Sequence, residues 1–253
     1  MNPSSYGMQE KIQVFSRVFF SFLGGRYDLG KSPFCPLMQD KKWPNKNQSR
    51  CFDVFEQWLG KQLRSPRGIL SKWIASYMET GNHDINEWSI QLLDVQPYDR
   101  ILEIGTGGGA ALSRIAEKLE TGKACGIDSS KSMVKRSLRR TRYLREEGKA
   151  EIKHGYAENI PFEDRVFHKV FSVHTLYFWT DPDQALKEIY RVLQIDGTVF
   201  LAVHLKEQMK KSKKTDDFTL YSEEQIRHLL EKHHFREINV HMYKNYCCVT
   251  AAK

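Results

Sequence analysis

The chain has 253 residues, of which 40% are apolar, enough for one large domain or a catalytic domain with an extension and too many for disorder throughout. Its 39 basic and 31 acidic residues leave a formal charge of +8, which reads first as a solvated surface and only second as a surface for nucleic acid. Cys35, Cys51, Cys125, Cys247 and Cys248 are odd in number and lack C-x-x-C spacing, so neither a disulfide framework nor a zinc site is signalled and no metal is expected. A reducing, cytoplasmic setting is the expectation. No apolar run reaches the roughly 20 residues that cross a bilayer. Ile12–Leu23 is interrupted by Arg17 and followed by no small-residue cleavage site, so a secretory signal is not expected either.

Residues 1–50 differ from the rest in their density of aromatics and turn residues. Gln9–Leu23 places Ile12, Phe15, Phe19 and Phe22 three or four apart, the spacing of a helix with a broad apolar face. Gly24-Gly25 ends it, and Tyr27–Asn47 reads as a loop. Such a face must pack on something, as plain core or as a lid over a substrate cavity. Residues 51–253 are expected to form the main domain. Phe52–Leu63, Ile69–Met78 and Ile85–Leu93 read as helices, the last with Asp84 as its N-cap.

From Asp99 the pattern alternates. Arg100–Ile104, Ala124–Ile127, Ala150–His154, Val166–Val173 and Thr198–His204 read as strands. Between them lie helical stretches at Ala111–Leu119, Lys131–Glu147 and Pro182–Leu193, the last capped by Asp181 with proline at its first position. Glu223–His233 is helical, and Glu237–Tyr243 with Tyr246–Ala251 forms a closing antiparallel pair. Alternation of this kind implies an α/β fold: a doubly wound, mostly parallel, Rossmann-like sheet of seven strands with helices on both faces.

The first strand runs straight into Glu103-Ile104-Gly105-Thr106-Gly107-Gly108-Gly109. Glycines there allow a tight strand-to-helix turn and close approach of a ligand to the backbone. Asp128 closes the second strand 23 residues after Gly105, the usual distance for a carboxylate that accepts both hydroxyls of a ribose. Together these point to an adenosine-containing ligand. Gly105-x-Gly107-x-x-Ala110 also satisfies the dinucleotide pattern, so the pair of features leaves a dinucleotide and a sulfonium nucleoside both open. Glu103 tilts the balance, because a carboxylate at the strand end repels a pyrophosphate and attracts an ammonium group. The single glycine turn, with no second substrate domain after it, tilts it the same way.

The run Ile101–Gly109 resembles the first motif of class I S-adenosylmethionine-dependent methyltransferases. Gly126-Ile127-Asp128-Ser129-Ser130 followed by Met133 resembles their second, and Gly155–Phe162 their adenine-side segment. Val173–Trp179 with Asp181-Pro182 is similar to the fourth strand and its loop, and Leu186–Leu193 with Asp196-Gly197 to the following helix and turn. The resemblance runs from about Gly81 to the C-terminus with five motifs in order. It implies an S-adenosylmethionine cofactor held by Tyr77, Glu103, Gly105, Thr106, Gly107, Asp128, Ser129, Met133, Ala157, Glu158 and His174. Two positions depart from the pattern: Tyr156 stands where an aspartate usually binds the adenine amino group, and Ile195-Asp196-Gly197 replaces Pro-Gly-Gly.

Methyl transfer is a displacement dominated by alignment, and a base is required only when the nucleophile arrives protonated. His174 and Tyr177, at the end of the fourth strand, are the catalytic candidates, His174 as a base or a hydrogen-bonding orienter. Phe19, Phe20, Tyr27, Tyr177 and Trp179 are the candidates for binding the acceptor, with packing in the core as the alternative for each. His83, in the stretch Gly81-Asn82-His83, reads more simply as an exposed loop residue. The expected acceptor is an N or O atom of a small molecule or short peptide, natural-product precursors among them, with the oligomeric state open. The alternatives are an RNA methyltransferase and a cofactor-binding protein without catalysis. The basic stretch Lys206–Lys214 and the arginines Arg136–Arg145 bear on the first of these, but read more simply as solvated faces.

Overall fold

The computed structural model describes residue 79 and residues 81–209 and 218–253. The expected helices at Gln9–Leu23, Phe52–Leu63 and Ile69–Met78, the loop Tyr27–Asn47, and the residues Phe19, Phe20, Tyr27 and Tyr77 lie outside these residues, as does most of the lysine stretch.

The described part opens with α1 (His83–Leu92), β1 (Arg100–Ile104), α2 (Ala110–Glu117) and β2 (Lys123–Asp128). Then come α3 (Lys131–Arg140), α4 (Arg142–Glu146), β3 (Ala150–His154) and β4 (Phe167–Val173). After a 3-10 turn at Leu176–Phe178 follow α5 (Pro182–Val192), β5 (Leu193–His204) and α6 (Lys206–Met209). The chain closes with α7 (Glu223–Lys232), β6 (Arg236–Tyr243) and β7 (Tyr246–Ala252). The seven strands form one sheet in the order β3-β2-β1-β4-β5-β7-β6. All neighbours from β3 to β5 are parallel, and β7 runs antiparallel to both β5 and β6. The expected α/β sheet with an antiparallel C-terminal pair is present.

Alternation along the strands feeds two cores. Leu102 and Ile104 join Ile189 of α5 and Ile226 and Leu230 of α7 on one face. Ile101 joins Ile85 of α1, Leu112 and Ile115 of α2 and Leu144 of α4 on the other. Burying a side chain of this size contributes roughly 1.5–3 kcal/mol, so both faces are covered by necessity. Glu103 shares the strand with these apolar residues and is only 5% exposed. A carboxylate so placed opposes folding, which marks it as a residue kept for another reason.

The local departures from expectation have physical causes. The helix expected across Lys131–Glu147 breaks at Thr141, whose hydroxyl donates back to the Ser137 carbonyl at 2.9 Å, a bond that competes with regular helix. Asn82, rather than Asp84, precedes α1, and Asp84 in its first turn pairs with Lys244 at 2.7 Å. Strand β5 begins at Leu193, earlier than Thr198, because Leu193 already pairs with Phe167 before the register shifts. Asp196 absorbs that irregularity in a left-handed conformation (φ 62°). Asp181 does cap α5, accepting the Gln184 amide at 3.0 Å, and Ser222 forms a full capping box on α7. Among the described residues, no helix is long and apolar enough to cross a membrane.

Candidate functional site

The carboxyl ends of β1, β2 and β4 and the loop after β3 converge on a cavity of about 430 Å3, within the roughly 300–1,000 Å3 of small-ligand sites. This is the crevice at which open α/β sheets bind ligands, where successive connections leave the sheet on opposite faces.

The glycine turn supplies one wall. Gly105, Gly107 and Gly109 have φ of 78°, 53° and 77°, which only glycine adopts without strain. A side chain on Gly105 would overlap Thr175, whereas one on Gly107 would meet nothing within 4 Å. The first glycine is therefore fixed by packing against the loop after β4, and the second by backbone conformation alone. Several amides of the turn are already bonded within the protein. Those of Gly105 and Thr106 donate to the Ile127 carbonyl at 2.8 and 3.0 Å, and that of Gly107 donates to Asp128 Oδ2 at 2.8 Å. These three amides are thereby committed to the protein rather than to a ligand.

Three carboxylates give the cavity its chemistry. Glu103 accepts the Thr106 hydroxyl at 2.8 Å, and burial pushes its carboxyl up to about 8 despite that bond. A buried carboxylate of this kind is completed by a cation. Asp128 accepts Gly107 on one oxygen and the Ser130 amide on the other at 2.8 Å; burial raises its pKa and the two amides oppose the rise. Each oxygen keeps a lone pair, enough for two neighbouring hydroxyls. Glu158 turns toward the wall: its Oε1 accepts the amides of Thr180 at 2.6 Å and Asp181 at 3.3 Å. Ser129, Met133, Tyr156 and Ala157 line the same end of the cavity.

The opposite end is formed by the loop after β4. His174 sits in a left-handed conformation (φ 57°), with its ring stacked 4.6 Å from that of His204. Its Nδ1 lies 3.3 Å from the Tyr177 hydroxyl, and its Nε2 is buried without a partner. Burial holds the imidazole down at about 3, with the neighbouring His204 acting in the same direction. The Tyr177 hydroxyl accepts the His204 amide and lies beside His174 Nδ1, the donor between the two being set by the imidazole tautomer.

The expected cofactor residues Glu103, Gly105, Thr106, Gly107, Asp128, Ser129, Met133, Ala157, Glu158 and His174 thus line one cavity. Trp179 lines it as well, and Phe178 beside it. Tyr177 does not: it is 4% exposed and packed behind His174, with its ring stacked on Phe218. The 3-10 turn at Leu176–Phe178 rotates it inward, which spacing along the chain does not reveal. His83 is exposed. Asn82 and Asn86 join the wall; their i, i+4 spacing, which places two amides on one face, was the available signal. Thr175 and Thr180 also line the cavity, and neither carries a sequence signal of its own.

Residues 102–201 match a family model described as a methyltransferase domain. The chain is similar to the YrhH protein of Bacillus subtilis (strain 168), named as a methyltransferase, with 40% identity over 169 residues covering 67% of this chain and 86% of that one. It is 32% identical over 109 residues to demethylmenaquinone methyltransferase of Chlorobaculum tepidum, covering 43% of this chain and 42% of that one. Among solved structures, a SAM-dependent methyltransferase from Aquifex aeolicus superposes with a TM-score of 0.58 at 23% identity, covering 66% of this chain and 88% of that one.

Proposed function

Because the chain belongs to the class I S-adenosylmethionine-dependent methyltransferase family and is an enzyme of that kind, we propose that it methylates an N or O atom of a small acceptor at the His174 end of the cavity. Bound S-adenosylmethionine supplies an electrophilic methyl group on a positively charged sulfur. The protein's own task is to hold and to orient. Glu103 faces the amino-acid ammonium, Asp128 takes the ribose hydroxyls, and the segment Gly155–Glu158 bounds the base. The strand order β3-β2-β1-β4 sets that succession and leaves β4 for the reacting end.

The observation that carries the cofactor assignment is the buried Glu103 beside turn amides already bonded to Ile127 and Asp128. The buried Glu103 carboxyl favours an ammonium over a pyrophosphate as its neighbour. Calorimetry with S-adenosylhomocysteine and with NAD tests it, and binding of NAD alone would overturn it.

For the acceptor, the supporting observation is the aromatic wall of His174, Phe178 and Trp179. His174 acts as a hydrogen-bonding orienter, with Tyr177 as the positioning residue behind it. A small apolar or cationic acceptor fits this wall, and the quinone-type name of the Chlorobaculum relative is of the same small-molecule kind. The orienter role separates from a base role by substitution. His174→Asn keeps an N–H donor and tolerates a left-handed backbone; His174→Ala keeps neither. Partial activity of the first with loss in the second supports orientation, and equal loss in both favours a base. Whether Phe19, Phe20 and Tyr27 contribute to acceptor binding is tested by removing residues 1–47 and measuring acceptor and cofactor binding separately.

A further inference from the structure

The base end of the cavity has a composition that constrains how a purine is held. Four carboxylates line the cavity among the described residues: Glu79, Glu103, Asp128 and Glu158. Each already has protein partners. Glu79 pairs with Arg136 and Arg140 at 3.2 and 2.7 Å, and Glu103 accepts Thr106. Asp128 accepts Gly107 and Ser130, and Glu158 is anchored on Thr180 and Asp181. Of the four, only Glu158 lies at the base end, and its anchoring draws it to the start of α5. What does face that end is an aromatic ring. Tyr156 is 53% exposed at the cavity rim, and its ring packs edge-on against His154 at 5.6 Å. His154 in turn donates from Nε2 to the Ser129 carbonyl at 3.0 Å, next to Asp128. The Tyr156 carbonyl accepts the Asn159 amide at 3.1 Å, which closes the turn beneath the ring. The ring is therefore braced on His154, and Tyr156 lines the same cavity as Asp128 and Met133.

We infer that this site holds the purine of its cofactor by stacking on Tyr156 and does not read the exocyclic amino group, so that it accepts a 6-oxo purine nearly as well as a 6-amino one. A π face supports either base, because stacking is tolerant of base identity. Discrimination would require an acceptor that the 6-oxo form leaves unpaired, since a buried polar group without a partner is what makes such selection strong. The carboxylate at that end, Glu158, is held at the start of α5 by the Thr180 and Asp181 amides on its Oε1. The inference rests on the cofactor placement proposed above.

Calorimetry with S-adenosylhomocysteine and its 6-oxo analogue S-inosylhomocysteine tests it on the full chain without an activity readout. The two are expected to bind within about fivefold of each other. Tyr156→Ala is expected to weaken both equally, by about fivefold or more, as loss of a stacking platform does. Tyr156→Phe is expected to leave both unchanged, with the melting temperature of each variant confirming the fold. Tyr156→Asp, which adds a carboxylate, is expected to create a preference for the 6-amino form of about tenfold. A wild-type preference of thirtyfold or more for the adenosyl ligand would overturn the inference. So would Tyr156→Ala binding both ligands as the wild type does. Failure of the placement itself gives a different result, because Asp128→Ala would then leave the affinity for both ligands untouched.

Discussion

The Gly107 amide donates to Asp128 Oδ2 at 2.8 Å, tying the glycine turn to the end of the neighbouring strand before any ligand arrives. The same carboxylate receives the Ser130 amide on its other oxygen, so its orientation is set by two backbone groups from different loops. Asp128 thus has two tasks: it shapes the turn and presents its remaining lone pairs to a ribose.

Replacing it separates the two. Asp128→Asn keeps the size and one acceptor oxygen, whereas Asp128→Ala removes both. The alanine variant is expected to lose roughly 1.5–3 kcal/mol of cofactor affinity, the value of hydrogen bonds to a charged group. Calorimetry with S-adenosylhomocysteine measures it. An alanine variant with wild-type affinity would remove Asp128 from the ribose site.

These relationships differ in how visible they are along the chain. Gly105, Gly107 and Asp128 are legible because a tight strand-to-helix turn and a strand-end carboxylate require particular residue types at fixed spacing. The strand pattern is legible because alternation and apolar runs reflect burial directly. The bonding of the Gly105 and Thr106 amides to Ile127 is not, since it depends on which strand lies beside β1. Tyr177 and Phe178 are adjacent aromatics, yet one packs behind His174 and the other lines the cavity. Only the turn geometry at Leu176–Phe178 decides between them. The left-handed Asp196, the break at Thr141 and the anchoring of Glu158 are tertiary in origin in the same way.

Glu103 carries a pH signature. Its carboxyl is raised from 4.5 to about 8 by burial, so the folded protein binds a proton there more tightly than the unfolded chain does. Its contribution to stability is therefore fully present below pH 4.5 and is lost as pH rises toward 8. A bound ammonium reverses that loss by stabilising the ionised form. The thermal shift produced by S-adenosylhomocysteine is expected to grow between pH 6 and pH 8 in the wild type. In Glu103→Gln the ligand-free protein should melt higher than the wild type at pH 8, with a smaller ligand-induced shift that no longer depends on pH. Scanning fluorimetry across that range measures both, and a parallel pH response in the two proteins would dissociate Glu103 from the ligand.

Tyr177 offers a test of positioning. Tyr177→Phe removes the oxygen that accepts the His204 amide and lies beside His174 Nδ1. Loss of that hydrogen bond is expected to cost about 0.5–1.5 kcal/mol of stability. With that contact removed, the His174 ring loses a partner that fixes its orientation. The expected outcome is a lower kcat at unchanged cofactor affinity, together with a pH profile that His174→Asn does not share. Equal kcat in the variant and the wild type would assign Tyr177 to packing alone.

Arg191 lies outside the cavity and still controls one of its walls. Its guanidinium donates to Glu188 at 2.8 Å and Asp164 at 2.7 Å, and to the carbonyls of Phe162 and Ile160 at 2.8 and 2.9 Å. Glu188 Oε2 in turn accepts the Ile160 amide at 2.9 Å, so α5 grips the segment that carries Tyr156, Ala157 and Glu158 from below. A lysine cannot reproduce this fork, because it offers one compact ammonium where five N–H groups are fixed in a plane. Arg191→Lys is expected to cost about 1–3 kcal/mol through carbonyls left unpaired. It should also weaken S-adenosylhomocysteine binding severalfold, since the base wall loses its support. Chemical denaturation and calorimetry on the same preparation separate the two effects. A stability loss without any change in affinity would show that the Gly155–Phe162 segment holds its shape independently of α5.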